Sequence, residues 1–271
     1  MTDAPALRLD GATLWLGRKL LWEQIELTVP RGEFVAVLGP NGSGKTSLLR
    51  VFLGLQPLTA GRVEALGRPP RRGNPLLGYV PQQRAFDRDL ALRGQDLVAL
   101  GVDGHRWGWS LPSRAVTQQV DEMLRAVGAQ RYAGTQIGLL SGGEQQRLRI
   151  AQALIGHPRI VLCDEPLLSL DPNFQQATVE LVADWNRRHG TTVVFVTHDI
   201  NPVLSAVDRV LLLAGGRWAV GHPDAVLTSE TLSRVYGAQV DVLRVHGRVV
   251  VLGVDLGGHE PVPDTPEAAR R

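Results

Sequence analysis

Eight consecutive residues, GPNGSGKT at 39–46, have the types and the spacing to wrap an anion. Gly39, Gly42 and Gly44 let the backbone curl so that successive N–H groups face one centre, with Pro40, Asn41 and Ser43 between them. From Ser47 the chain turns to helical spacing, so the first N–H groups of a helix add unpaired donors and a favourable dipole. The pattern G-x-x-x-x-G-K-[ST] at such a junction cradles the phosphates of a nucleotide. Lys45 is expected to reach the β- and γ-phosphates, and Thr46 to set its hydroxyl on magnesium.

A second cluster lies far along the chain. RIVLCDE at 159–165 is an apolar run that ends in two carboxylates. Asp164 suits the role of magnesium holder, and Glu165 that of the general base that polarises an attacking water. Shortly before it, LSGGEQQR at 140–147 places Ser141, Gly142 and Gly143 just ahead of a helical run. Alone, SGGE reads as a helix cap. Close to the acidic strand, it reads as another anion-binding helix start.

These groups need elements to hold them. FVAVLG at 34–39 is a continuous apolar run, as in a strand covered on both faces. Further strand-like runs occur at 159–165, 192–199 and 209–216, and LRLDGATLWL and IELTVP read as strands nearer the N-terminus. AVTQQVDEMLRAVGA, GGEQQRLRIAQALIG and TVELVADWNRRHG show helical spacing, the last closed by Gly190. Strand alternating with helix implies a parallel sheet with helices on its faces, an α/β fold.

Taken in order, these stretches resemble the ATP-binding subunits of ABC transporters, over roughly residues 7–225. LSGGEQQR is similar to the family's signature segment, with Glu144 where Gln is usual; DEPLLSLD departs mildly from its common form. The resemblance implies a P-loop NTPase of ABC type: a mixed, mostly parallel sheet core, an antiparallel β subdomain and an inserted helical subdomain that carries the signature. It also implies ATP as nucleotide, Mg2+ as cofactor and ATP hydrolysis as the activity. Gln82 in GYVPQ matches the glutamine that senses magnesium and the attacking water, and His198 in VVFVTHD the histidine on the γ-phosphate. Ser169 to Asp171 match the loop that crosses a subunit interface, and Ser141 to Gly143 the segment that closes over nucleotide held by a partner subunit. The implied assembly is a homodimer of ATPase subunits on integral membrane permease subunits, with an extracytoplasmic substrate-binding protein acting indirectly. The region after Gln82, including Arg84 to Trp109, is expected to touch the permease, with Trp107 and Trp109 either anchoring it or packing within the helical subdomain. THDINPVL and LCDEPLLSLD look most like the manganese and zinc import group.

One position departs from the family. The aromatic residue that usually stacks on adenine, just before the glycine of the second strand, is Leu16 here. Alternation points the adjacent Trp15 to the other face, and Trp22 is a further candidate.

The composition bounds the remaining choices. The chain has 271 residues, 44 % hydrophobic and 21 % charged, an ordinary globular balance. A net charge of +2 and the lack of a strong basic patch give no expectation of nucleic acid. The single cysteine, Cys163, excludes a disulfide within the chain, and no apolar run approaches the roughly 18–20 residues of a membrane helix. The expected location is therefore the cytoplasmic face of a membrane, as a peripheral subunit. The expected organisation is an ATPase domain at 1–225 with its helical subdomain at about 84–158, a C-terminal extension at 226–258 and a disordered tail at 259–271. Beside an ABC ATPase for another substrate class, two other readings compete: a soluble ABC ATPase acting on DNA or ribosomes, and a module that binds nucleotide without hydrolysing it. The presence of Gln82, Glu165 and His198 argues against the second.

Overall fold

The central strands carry bulky β-branched, aliphatic and aromatic residues such as Phe34, Ile160 and Phe195. In the computed structural model, residues 4–82, 86–103 and 113–253 are described. In chain order the elements are β1 (Leu7–Leu16), β2 (Lys19–Val29), β3 (Phe34–Leu38), α1 (Lys45–Phe52), β4 (Ala60–Ala65), β5 (Leu77–Val80), α2 (Gly94–Asp103), α3 (Arg114–Ala126) and α4 (Gly142–Leu154). There follow β6 (Ile160–Asp164), α5 (Pro172–His189), β7 (Thr192–Val196), β8 (Arg209–Ala214), β9 (Arg217–Gly221), α6 (Pro223–Val226), α7 (Ser229–Tyr236), β10 (Asp241–Val245) and β11 (Arg248–Leu252).

The central sheet has six strands in the order β5-β6-β7-β3-β8-β9. All neighbours run parallel except β9, which is antiparallel to β8. Every residue of β3, β6 and β7 is buried, which is what their unbroken apolar runs require. Alternation divides their side chains between two cores. Phe34, Ala36, Val161, Cys163, Val193 and Phe195 face the helices. Val35, Val37, Ile160, Leu162, Val194 and Val196 face α1 and a three-stranded antiparallel sheet ordered β2-β1-β4. The mixed sheet core, the antiparallel sheet and the helices α2, α3 and α4 between β5 and β6 bear out the expected fold class.

The parallel direction is what builds the site. β3, β5, β6 and β7 all end at one edge, so residues 39–46, Gln82, Asp164–Glu165 and His198 leave the sheet together despite their separation in sequence. At the other end of the chain, α6 runs through the expected boundary at 225. Val226, Leu232, Val235 and Val249 belong to the helix-facing core, so the C-terminal extension packs as part of the main body. The extension contains α7 as well as strands, where strands alone were expected. Residues 84, 107 and 109 and the tail at 259–271 lie outside the described residues, so the expectations placed on Arg84, Trp107, Trp109 and the tail fall there too.

Candidate functional site

The phosphate loop is shaped by close backbone contacts. Gly39 has φ 148°, and a Cβ there would lie 2.0 Å from the carbonyl oxygen of Leu213. Gly44 has φ 97°, and a Cβ there would meet Trp22 Nε1 at 2.8 Å. Only glycine meets both demands, left-handed backbone and no side chain. Gly44 caps α1 without any side-chain hydrogen bond, and the first turn of α1 holds no acidic residue. Its leading N–H groups are therefore free to meet an anion.

Lys45 is 5 % exposed and donates to the carbonyl oxygens of Gly39 at 2.7 Å and Pro40 at 3.1 Å. Its Nζ also lies 3.6 Å from Glu165 Oε1. Burial pushes the ammonium below its ordinary pKa, and the nearby Glu165 opposes that shift. On the other oxygen, Gln82 Nε2 donates to Glu165 Oε2 at 3.2 Å. Glu165 follows β6 with φ 46°, and Ser169 of the next loop has φ 63°. Non-glycine residues in this region carry strain of the kind that collects at working sites.

Asp164 ends β6 and is almost wholly buried. Thr46 Oγ1 donates to its Oδ1 at 3.0 Å, and the Tyr79 hydroxyl to its Oδ2 at 3.3 Å. Burial raises the Asp164 pKa, while these two hydrogen bonds pull it back. Burial and the carboxylate together push the Tyr79 hydroxyl up to about 12, so it stays a donor. A hydroxyl and a buried carboxylate are hard oxygen ligands. Asp164 has no ion pair with a protein cation among the described residues. This pair fits a small divalent cation that takes its other ligands from phosphate and water.

His198 follows β7 at the same edge and is half-buried. Ser43 is buried, with a hydroxyl that has no hydrogen-bond partner, and Ser47 is half-buried in the first turn of α1. Ser141 caps α4: its Oγ accepts from Glu144 N at 3.4 Å, while its N–H and hydroxyl donate to Glu144 Oε2 at 3.0 and 2.9 Å. The Glu that replaces the family's Gln thus closes a reciprocal capping box. Gly143 lies so close to α5 that a Cβ would meet Phe174 Cδ1 at 2.3 Å. Asp171 caps α5 by accepting from the N–H groups of Asn173 and Phe174 at 3.1 and 3.2 Å. Lys45, Glu165 and Gln82 therefore form one contact set, and Thr46, Asp164 and Tyr79 a second beside it, joined by the Asp164–Glu165 peptide bond. The hydrogen bonds of the Ser141 and Asp171 side chains belong to their own helix starts.

The adenine position needs correction. Trp22 is fully buried against Gly44, behind the phosphate loop, and no base can stack on it. Trp15 and Leu16 are both exposed at the end of β1, where they pair in regular register with Leu20 and Lys19. Two residues of the site were not singled out in the sequence. Tyr79 lies within GYVPQ. Lys19, at the start of β2, donates from Nζ to the Gly42 carbonyl at 3.0 Å and lays the β1–β2 turn beside the loop. Its only sequence signal is its place just after Leu16-Gly17.

A glycine loop opening a helix after β3, and two carboxylates at the end of β6, one strand removed in the same parallel sheet, define a nucleotide-binding NTPase. The chain belongs to the ABC transporter family, whose pattern matches residues 22–168, more than half its length. It is 33 % identical over 238 residues to the manganese transport system ATP-binding protein MntB of Bacillus subtilis, covering 88 % of this chain and 95 % of that one. To the zinc transport system ATP-binding protein TroB of Treponema pallidum it is 36 % identical over 239 residues, covering 88 % and 89 %. To the phosphonates import ATP-binding protein PhnC of Stutzerimonas stutzeri it is 37 % identical over 251 residues, covering 87 % and 91 %. Among solved structures, an inward-facing ABC transporter described as of the metal-chelate type superposes with a TM-score of 0.77 at 26 % identity, covering 91 % of this chain and 96 % of that one. The protein is accordingly an ATP-binding subunit with ATPase activity. No described helix is long and apolar enough to cross a membrane.

Proposed function

We propose that this chain is the ATP-hydrolysing subunit of a metal-ion importer, seated on the cytoplasmic face of a membrane against permease subunits. The observation that carries the catalytic part is the contact set at the end of β6: Lys45 and Gln82 on the two oxygens of Glu165, with Thr46 on Asp164. The loop N–H groups and Lys45 bind the phosphates. Thr46, Asp164 and Gln82 would hold Mg2+, which would supply neutralisation of phosphate charge. Glu165 takes the proton of the attacking water. His198 contacts the γ-phosphate from the end of β7.

Ser141 to Gly143 and the loop at Asp171 serve a second copy. The nucleotide then has partners on both subunits, and its hydrolysis lets the pair open. The permease converts that opening and closing into transport, and an extracytoplasmic binding protein supplies the cargo from the other side.

Manganese or zinc is the cargo favoured by the MntB and TroB likenesses. Phosphonate is a second, minor reading, carried by the likeness to PhnC. The test is uptake in cells with and without the gene, using radioactive manganese and zinc and a phosphonate as sole phosphorus source. Loss of metal uptake, restored by the native chain and not by Glu165→Gln, is the expected result. Loss of growth on phosphonate with unchanged metal uptake would overturn the metal reading.

A further inference from the structure

The C-terminal hairpin presents an apolar face that nothing in the described chain covers. Its register pairs Asp241 with Leu252, Leu243 with Val250, and Val245 with Arg248. Directly paired residues share a face, so these six lie together. The intervening residues turn inward: Val249 is buried, and Val242 and Val251 pack on the main core. On the outward face Leu243, Val245, Val250 and Leu252 are between 38 % and 49 % exposed.

The hairpin is firmly held. Asn201 Oδ1 accepts from Val249 N at 2.8 Å while its Nδ2 donates to Val249 O at 3.0 Å, and Ser229 Oγ accepts from Val242 N at 2.8 Å. Asn201 lies three residues beyond His198, so the face keeps a set position relative to the nucleotide edge. The two charged residues of the face occupy opposite corners, Asp241 at the start of β10 and Arg248 at the start of β11. Neither forms an ion pair among the described residues.

We propose that this face is a self-complementary contact with a second copy of the same chain. A two-fold axis lying between two such hairpins can set each Asp241 over the other copy's Arg248, with the four apolar side chains of each copy between them. Strands about 4.8 Å apart, rising about 3.4 Å per residue, then cross at about 40°, an aligned sheet packing. Four side chains fall short of the roughly 1,000 Å² of a free-standing interface. The contact is therefore a second attachment that acts once nucleotide or permease has brought the copies together. It rests on the two-copy assembly proposed above.

The test is sedimentation of the Glu165→Gln protein with ATP and Mg2+, comparing hairpin variants in that background. Leu243→Asp is expected to weaken the dimer about 10-fold. Asp241→Arg and Arg248→Asp are each expected to weaken it about threefold, and the two together to restore it, because opposite charges again face each other. All three positions are exposed, and melting curves confirm that the variants fold. With Cys163 buried, Leu243→Cys is the one reactive thiol and is expected to cross-link between copies in the presence of ATP. Unchanged dimerisation in every hairpin variant, with Ser141→Arg still abolishing it, would overturn this proposal alone. No ATP-dependent dimer with the native hairpin would overturn the two-copy reading as well. A Leu243→Cys thiol shielded in the monomer and freed by truncation after Gly253 would show the chain's own tail on the face, and the proposal would fall.

Discussion

The ammonium of Lys45 lies 3.6 Å from the carboxylate of Glu165 while the same nitrogen is bound by the carbonyl oxygens of Gly39 and Pro40. In the mechanism proposed above, phosphate would compete with Glu165 for Lys45 and so release the Glu165 carboxylate.

Glu165→Gln removes the base and the ion pair but leaves every phosphate donor. ATP binding is expected to persist while turnover falls by about 10² or more. Equilibrium binding and single-turnover hydrolysis check the two halves separately, and native turnover in the variant would refute the assignment.

Lys45→Ala removes a charge-assisted hydrogen bond, worth about 1.5–3 kcal/mol. ATP affinity is expected to fall by about 10- to 100-fold, measured by titration of bound nucleotide. Unchanged affinity would exclude contact between Lys45 and the phosphates.

Asp164 is raised above the ordinary carboxylate pKa chiefly by burial. The folded chain therefore holds that proton more tightly than the unfolded one. The stabilisation is present at low pH and is lost as pH rises through the raised value. At neutral pH the charged group is a cost, so Asp164→Asn is expected to stabilise the nucleotide-free protein, read as a raised melting temperature. The gain is expected to shrink as pH falls, and ATPase activity to be lost. A lower melting temperature for the variant at pH 7 would refute this account.

Gly143→Ala puts a Cβ within 2.3 Å of the Phe174 ring. Overpacking of this kind costs about 1–3 kcal/mol, read by thermal or denaturant unfolding. Adding Phe174→Ala is expected to recover part of that loss. No recovery would mean that the two helix starts do not bear on each other.

Ser141→Arg places a long cation at the start of α4. The monomer is expected to bind ATP as before and to lose the ATP-dependent dimer of the Glu165→Gln background, seen by sedimentation. A dimer that survives the change would exclude a nucleotide shared between two copies.

Most of the site was legible because its chemistry depends on local spacing. The loop at 39–46, the carboxylates closing β6 and the cap at Ser141 each lie within eight residues of chain, where the residue types declare the backbone they need. The unbroken apolar run before Gly39 likewise announced a buried strand, and β3 is buried throughout. Nearness in sequence to the phosphate loop did not tell how Trp15 and Leu16 are covered: both are exposed at the end of β1, in regular register. It also misled for Trp22, an aromatic residue near the nucleotide in sequence that the fold spends on packing behind Gly44.

The amino-acid order by itself determined which groups can do chemistry: a lysine and a threonine at a helix start, and an aspartate and a glutamate at a strand end. Tertiary structure alone decided that they meet. Thr46 and Asp164 are 118 residues apart and hydrogen-bonded, because β3 and β6 run parallel within one sheet and end at the same edge. It also decided that Lys19 touches the loop and that Leu243 and Val250 face outward while Val249 is buried. Strand order and register are properties of long-range pairing, and no local run of residues encodes them.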